Sequence, residues 1–477
     1  MPELPDKSAA FMDWYLAVVE AAELTDKRYG VKGMNVWTPY GFRARRLLDG
    51  VIVREIEATG SSPVEFPTLI PEPEFQKEAD HIKGFQSEVY WVTRGGASPL
   101  DVPLVLRPTS ETAMYPVFAL WVRSHRDLPL MVYQIVNTFR YETKTTRPFL
   151  RVREIHFFEE HTCQATDEAA AARVQSNLAA FRAMAEALAL PYASVRRPDW
   201  DKFAGAYYTI CLDIPIGDGR SLQIGSIHHY RENFSRPYGI RYETPDGTQA
   251  YVHQTTFGLS ERLLGALVAV HGDQRGVAFP SSIAPIQVVL VPIPGASGGA
   301  AADPTAVART LGERLAARGL RVHVDATDER PGAKYYRWEL KGVPLRLEIG
   351  RREAETGAVS FTDRAGRKGA VPADRLEEEV ARLLHEFDRR LAEAALERFR
   401  RAFAVATRLE ELKGSHAIRV VPWCGQEACG HRIEEAIDGA LLGTPEGTIP
   451  IDLPAIGGCI ACGRTEGARW ALASRPI

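Results

Sequence analysis

Apolar positions along this chain fall into two periods, one helical and one alternating. Leu47, Leu48, Val51, Ile52 and Ile56 recur at helical spacing, and the short run Val64-Glu65-Phe66, ended by Pro67, predicts a strand. Val89–Val92, Leu104–Leu106 and Val132–Phe139 are further strand-like pieces. Thr166-Asp167-Glu168 opens a helix whose apolar face runs through Val174, Leu178, Phe181, Ala185 and Leu188. Strands then alternate with turns at Gly217–Gly219 and Pro245–Gly247, which predicts hairpins. Runs of strands with helices set aside predict an antiparallel α+β sheet.

The texture changes after Pro285. Ile286–Ile293 reads as a buried strand, and a Gly/Ala/Ser loop leads to a helix with Asp303 as its cap and Pro304 at its first position. That helix stops at Gly319, and the strand Leu320–Val324 follows. Together with Tyr335–Leu340 and Pro344–Ile349, this predicts a small α/β domain with a largely parallel sheet. From Asp374 an amphipathic helix runs through Leu376, Val380, Leu383, Phe387 and Leu391 into a cysteine-bearing last segment. The expected domains are 1–283, 284–373 and 374–477.

Composition narrows the class. The chain has 477 residues, 45% hydrophobic and 25% charged, with a formal net charge of -3. That is a globular composition, and any nucleic-acid contact must be local rather than a whole-surface basic field. No apolar run is long enough to span a bilayer. Four of the six cysteines form two close pairs, Cys424/Cys429 and Cys459/Cys462. This spacing suits tetrahedral thiolate ligation of a structural zinc and a reducing, cytoplasmic location.

The chemistry concentrates in Phe139-Arg140-Tyr141-Glu142, Thr146–Arg151 and Gly258-Leu259-Ser260-Glu261-Arg262. Arg140 sits at the end of the Val132–Phe139 strand, and Glu142, two residues on, points to the same sheet face. A guanidinium beside a carboxylate, with a second arginine opening a helix, makes a nucleotide clamp. The first arginine grips a phosphate through its planar fork, the carboxylate accepts from an adenine amino group, and the second arginine holds the far phosphates.

These segments resemble motifs 2 and 3 of class II aminoacyl-tRNA synthetases, and the helix–strand–proline arrangement before Pro67 resembles their dimer-forming motif 1. Arg107–Thr112, Thr146–Arg151, Lys202–Gly205, Gln223–His228 and His271–Asp273 narrow the resemblance to prolyl-tRNA synthetases, the archaeal/eukaryotic-type group without an editing insertion. The resemblance implies a class II antiparallel catalytic domain, an α/β anticodon-binding domain and a small C-terminal zinc-binding domain. It implies ATP and L-proline as substrates, magnesium on the phosphates, tRNA(Pro) as partner and a homodimer.

By the same resemblance Arg140, Glu142 and Arg262 carry catalysis. Arg151, Gln223, Gly225, Ser226 and Ser260 join them around ATP. Thr109 and Glu111, read as two apart on one strand face, accept from the proline ammonium. Phe85, Phe157, Phe203, Ser226 and His228 wall the ring, with Arg140 at the carboxylate. Trp338, Glu339, Lys341, Gly342, Pro344 and Arg346 offer groups for reading an anticodon. Phe157 replaces the usual tryptophan, Ser226 the usual threonine, and Glu160 a small residue. The changed wall motivates a second reading, a paralogue for another small or cyclic amino acid. A non-catalytic synthetase-like regulator would not be expected to keep Arg140, Arg151 and Arg262. The stretch from Thr162 to Tyr251 is too short for an editing domain.

Overall fold

The computed structural model describes residues 3–77, 88–293 and 303–477. Its centre is an eleven-stranded sheet. From one edge its strands are Phe403–Val405, Ile418–Trp423, Arg469–Ser474, Ala440–Pro445, Ala193–Arg196, Tyr208–Pro215, Ser221–Arg231, His253–Ser260, Glu154–Gln164, Leu130–Phe139 and Ser62–Pro63. The first and last pairs are parallel and the rest antiparallel, as the hairpin turns require.

Helices cover one face of this sheet. Pro39–Glu57 begins where the Thr38 hydroxyl accepts from the Gly41 amide, with Pro39 in its first turn. Asp167–Ala187 begins in the same way, with Thr166 accepting from Ala169. Their buried faces, including Leu48, Val51, Ile52 and Ile56 on one and Val174, Phe181, Met184 and Ala185 on the other, share a core with Phe11–Ala21 and Arg262–His271. The opposite face of the sheet is left to hold the site.

Three local expectations change. The strand expected at Val64–Phe66 lies at Ser62–Pro63. Beyond it the Val64 amide still donates to the Tyr133 carbonyl, but the Phe66 amide donates to the Gln134 side chain at 2.9 Å, so a side chain ends the ladder. The strand before the clamp stops at Phe139, so Arg140 and Glu142 do not lie on it. Thr109 and Glu111 are not on a strand either: Glu111 is the first residue of the helix Glu111–Trp121.

The second sheet runs Val322–Val324, Val288–Pro292, Leu345–Ile349, Ala358–Asp363, Lys368–Pro372. The first three strands are parallel, and the last two are antiparallel additions that reduce the largely parallel reading to half of the sheet. Asp303 caps its first helix by accepting from Thr305 and Ala306. The long helix Leu376–Arg401 packs Leu376, Val380, Leu383 and Leu384 on this core and Phe399 on the core of the last segment. The last segment in turn extends the central sheet, since Thr444 and Pro445 pair with Arg196 and Val195. Among the described residues no helix is long and apolar enough to cross a membrane.

Candidate active site

Strand register decides which side chains meet. Thr209 lies opposite His228 and Cys211 opposite Ser226. Ser226 and His228 lie opposite Gly258 and Thr256. Ser260, Gly258 and Thr256 lie opposite Phe157, Glu159 and His161, and Glu159 lies opposite Gln134. Because alternate residues share a face, this set forms one surface. A cavity of about 340 Å³ sits on it. It is lined by Thr109, Glu111, Arg140, Glu142, Arg151, Phe157, Phe203, Gln223, Gly225, Ser226, His228, Ser260 and Arg262. Every residue expected at the site is therefore gathered there except Phe85, which lies outside the described residues.

One end of the cavity is cationic. The Arg262 Nε donates to the Leu150 carbonyl at 2.8 Å, which aims the guanidinium back across the Thr146–Arg151 loop. Burial and the charges of Arg140 and Arg151 push the Arg262 pKa down to about 10, against weaker support from Glu142 and Glu261. Burial also lowers the Arg140 pKa, opposed by Glu111, Glu88 and Glu159. Arg151 lies 3.4 Å from the Glu142 carboxylate. Guanidiniums that repel one another in a half-closed space form a site poised for a polyanion. The loop carrying Arg151 is closed by paired amides between Arg147 and Arg151, with Phe149 at φ 62.

The other end is apolar and flat. The Phe203 ring lies 4.7 Å from His228, and His228 stacks on Tyr230 at 5.9 Å with 3° between planes. The Thr209 and Ser226 hydroxyls sit 2.9 and 3.0 Å from the two ring nitrogens of His228. Burial and the His161 charge push its pKa down to about 3, so the imidazole is a neutral wall. A Cβ on Gly258 would come within 2.9 Å of the Phe157 ring, so the glycine sets that ring's position. At the floor, Glu111 accepts from the Thr109 hydroxyl at 2.5 Å and from the Tyr230 hydroxyl at 3.1 Å. Its carboxylate is the anionic acceptor a secondary ammonium needs.

Known proteins share this arrangement. Residues 90–271 match the tRNA synthetase class II core domain (G, H, P, S and T), and residues 287–383 match the anticodon binding domain. The chain is 51% identical over 463 residues to a proline–tRNA ligase of Thermococcus kodakarensis, covering 96% of each chain. It is 49% identical over 476 residues to that of Archaeoglobus fulgidus, covering 98% of this chain and 99% of the other. The chain belongs to the prolyl-tRNA synthetase family. A solved Giardia lamblia prolyl-tRNA synthetase in complex with prolyl-adenylate superposes with a TM-score of 0.94 at 32% identity, over 100% of both chains. The Cryptosporidium parvum enzyme complexed with L-proline and AMP gives 0.91 at 29%, over 99% of this chain and 96% of that one.

For a prolyl-tRNA synthetase, the unusual Glu160 has a clear structural role. It points away from the cavity, opposite Tyr133, and is fully buried. Its carboxylate receives Arg173 through two nitrogens, the Ser61 hydroxyl, and the Asn177 amide at 2.8 Å. Arg173 also reaches the Thr59 carbonyl and hydroxyl. The pair ties the end of the Pro39–Glu57 helix to the sheet and to the helix behind it. The segment 162–251 is filled by core strands and helices and holds no inserted domain.

Sequence reading missed Glu159, His161, Thr209, Cys211 and Glu261. Thr209 and Cys211 belong to the same alternating face as Ser226 and His228, but only the register reveals it. Burial pushes the Cys211 thiol up to about 12, leaving it a neutral lining group. Burial raises Glu261 to about 7, and its carboxylate accepts from the His156 amide at 3.0 Å, anchoring the start of the Arg262 helix. Away from the cavity, the Sγ atoms of Cys424, Cys429, Cys459 and Cys462 all lie within 4.8 Å of one another, and Cys424 and Cys462 are 3.9 Å apart. A tetrahedron of thiolates about 2.3 Å from zinc has edges of roughly 3.8 Å, so these residues fit that ion.

Proposed function

We propose that this protein activates L-proline with ATP and transfers it to the 3′ end of tRNA(Pro), with the residues in the following roles. A carboxylate oxygen of proline attacks the α-phosphorus, the bond to the β-phosphate bridging oxygen breaks, and pyrophosphate leaves. The nucleophile is already an anion, so no general base is required, and the protein supplies position and charge. Arg140 bridges the α-phosphate and the proline carboxylate. Glu142 accepts from the adenine amino group, while Gln223, Gly225, Ser226 and Ser260 make the remaining nucleotide contacts. Arg151 and Arg262 neutralise the β- and γ-phosphates, which magnesium accompanies as part of the substrate. Thr109 and Glu111 hold the ammonium, and Phe157, Phe203 and His228 enclose the ring. A terminal ribose hydroxyl of the tRNA then attacks the activated carbonyl, and AMP departs.

The observation that carries this reading is the meeting of Arg140, Arg151 and Arg262 at one end of a cavity whose other end pairs Glu111 with flat apolar walls. ATP–pyrophosphate exchange measured across the amino acids tests it. Proline is expected to give the highest kcat/KM. Alanine or cysteine should be activated weakly, because losing a methylene from an apolar pocket costs only about 1–3 kcal/mol. Faster exchange with any other amino acid would favour the paralogue reading that the Phe157 wall motivates.

We propose that the four clustered cysteines hold a structural zinc. All six cysteines are free thiols, which also supports a cytoplasmic location. Metal analysis of the intact enzyme is expected to find about one zinc per chain, and Cys459→Ser should lose it and lower the melting temperature. A metal-free wild-type protein with unchanged melting would refute this. A homodimer is supported by apolar surface near motif 1, where Phe66 packs 5.6 Å from Trp121 and both Trp121 and Leu120 are exposed.

A further inference from the structure

Beneath the proline pocket lies a buried ionisable cluster that the roles above leave unused. Glu159 and His161 follow Phe157 at alternate positions on the same strand face, so they sit directly below the ring wall. Glu111 meets them from the first turn of its helix. One ligand atom each of Glu111, Glu159 and His161 lies within 4.8 Å of the other two. Their exposures are 2%, 0% and 0%, so bulk solvent does not screen the charges.

The hydrogen bonds have a direction. Glu159 accepts from the Ser110 hydroxyl and from the Gln134 amide at 2.9 Å with one oxygen. With the other it faces His161 Nε2 at 3.2 Å. The Nδ1 of the same ring lies 3.2 Å from the Tyr115 hydroxyl and 3.5 Å from Thr256. Glu111 is engaged by Thr109 and Tyr230. Every oxygen and nitrogen of the trio thus has a protein partner.

Two carboxylates this close in a dry pocket cannot both ionise unless a cation stands with them; otherwise they share a proton. The cations at hand are Arg107, Arg140 and His161; Arg107 donates to the Asn137 and Phe66 carbonyls, and Arg140 is committed to the substrate. A Glu111 that shares a proton with Glu159 presents a donor to a substrate ammonium that itself only donates. We infer that His161 is a positioning residue for amine recognition: hydrogen-bonded to Glu159 and within 4.8 Å of Glu111, it offsets the charge of the two carboxylates and leaves Glu111 to accept from the proline ammonium.

The local electrostatics agree. Burial disfavours the charged ring, but the Glu159 hydrogen bond and the charges of Glu111, Glu159 and Glu160 outweigh it and raise the His161 pKa. Burial likewise opposes the Glu159 charge, yet His161, Ser110 and Gln134 hold its carboxyl below the usual range. The other groups facing the cluster are Tyr115 on the helix, Tyr230 and the neutral His228 on the Ser221–Arg231 strand, Arg140 beyond Glu111, and Arg107 on the Glu159 side.

This inference rests on Glu111 as the amine acceptor, and that premise has its own control. Glu111→Gln should abolish proline activation; unchanged exchange there would sink the premise rather than the role of His161. With the full-length enzyme, His161→Gln is expected to raise the KM for proline about tenfold and leave the KM for ATP within about twofold, the size expected for one mispaired buried acceptor. Glu159→Gln combined with His161→Gln removes the like-charge conflict and is expected to bring the proline KM back to within about threefold of wild type. Equal changes in both KM values, or a double variant no better than the single, would overturn the inference. If His161→Gln does not fold, the double variant decides: a proline KM near wild type supports the role, and a tenfold rise contradicts it.

Discussion

Arg262→Ala is expected to reduce ATP–pyrophosphate exchange about a thousandfold, the scale on which a charge-stabilising arginine acts in phosphoryl chemistry. Arg262 sits among Arg140 and Arg151, and their repulsion adds to the burial that already weakens its hold on its proton. The free protein bears this unfavourable cluster, and the triphosphate relieves it. Alanine removes the attraction at the moment pyrophosphate builds negative charge. It also removes part of the repulsion in the empty site, so the melting temperature should stay level or rise. Loss of activity with retained or increased stability is the signature of a functional group rather than a structural one. A variant that melts early and loses exchange in proportion to its unfolded fraction would assign Arg262 to the scaffold instead.

The second large effect concerns folding, not chemistry. Arg173→Met leaves Glu160 buried without its cation, a change expected to cost about 3–5 kcal/mol. For a protein of this size that corresponds to a melting temperature lower by about 3–5 °C. Ser61 and Asn177 remain to donate to Glu160 but carry no charge. Glu160→Gln combined with Arg173→Met should recover much of the loss, because neither charge is then stranded. Thermal unfolding of the two single variants and the double reads the coupling directly, and strictly additive losses would mean the pair is not acting as a unit. Exchange rates below the melting transition should be near wild type in all three, since Glu160 points away from the cavity.

Residues close in sequence and rich in chemistry could be read from the chain itself. The three arginines and Glu142 stand in short dense segments, and Thr166 and Asp303 announce helix starts through the caps they form. The local conformation was less legible. Thr109 and Glu111 meet not through strand alternation but because Glu111 opens a helix whose first turn brings its carboxylate 2.5 Å from the Thr109 hydroxyl. Arg140 and Glu142 are likewise neighbours in a turn beyond the strand end, where the Glu142 amide donates to the Arg140 carbonyl. The residues beneath the pocket wall were hidden for another reason. Glu159 and His161 become meaningful only when register sets them beside Gln134 and Thr256 and below Glu111. Long-range pairing was equally silent: nothing in Ala440–Pro445 says that it borders Ala193–Arg196, nearly 250 residues earlier. Glu160 looked anomalous because its partner, Arg173, is an ordinary polar position in a helical pattern until the fold turns it inward.

The central claim is that guanidiniums from separate segments hold a bent triphosphate beside a cavity fitted to a secondary ammonium. A crystal structure of this enzyme with L-proline and a non-hydrolysable ATP analogue tests it most directly. The account predicts Arg140 on the α-phosphate, Arg151 and Arg262 within hydrogen-bonding reach of the outer phosphates, and the proline nitrogen between Thr109 and Glu111. A nucleotide bound elsewhere, or a triphosphate that leaves Arg151 and Arg262 in solvent, would contradict it.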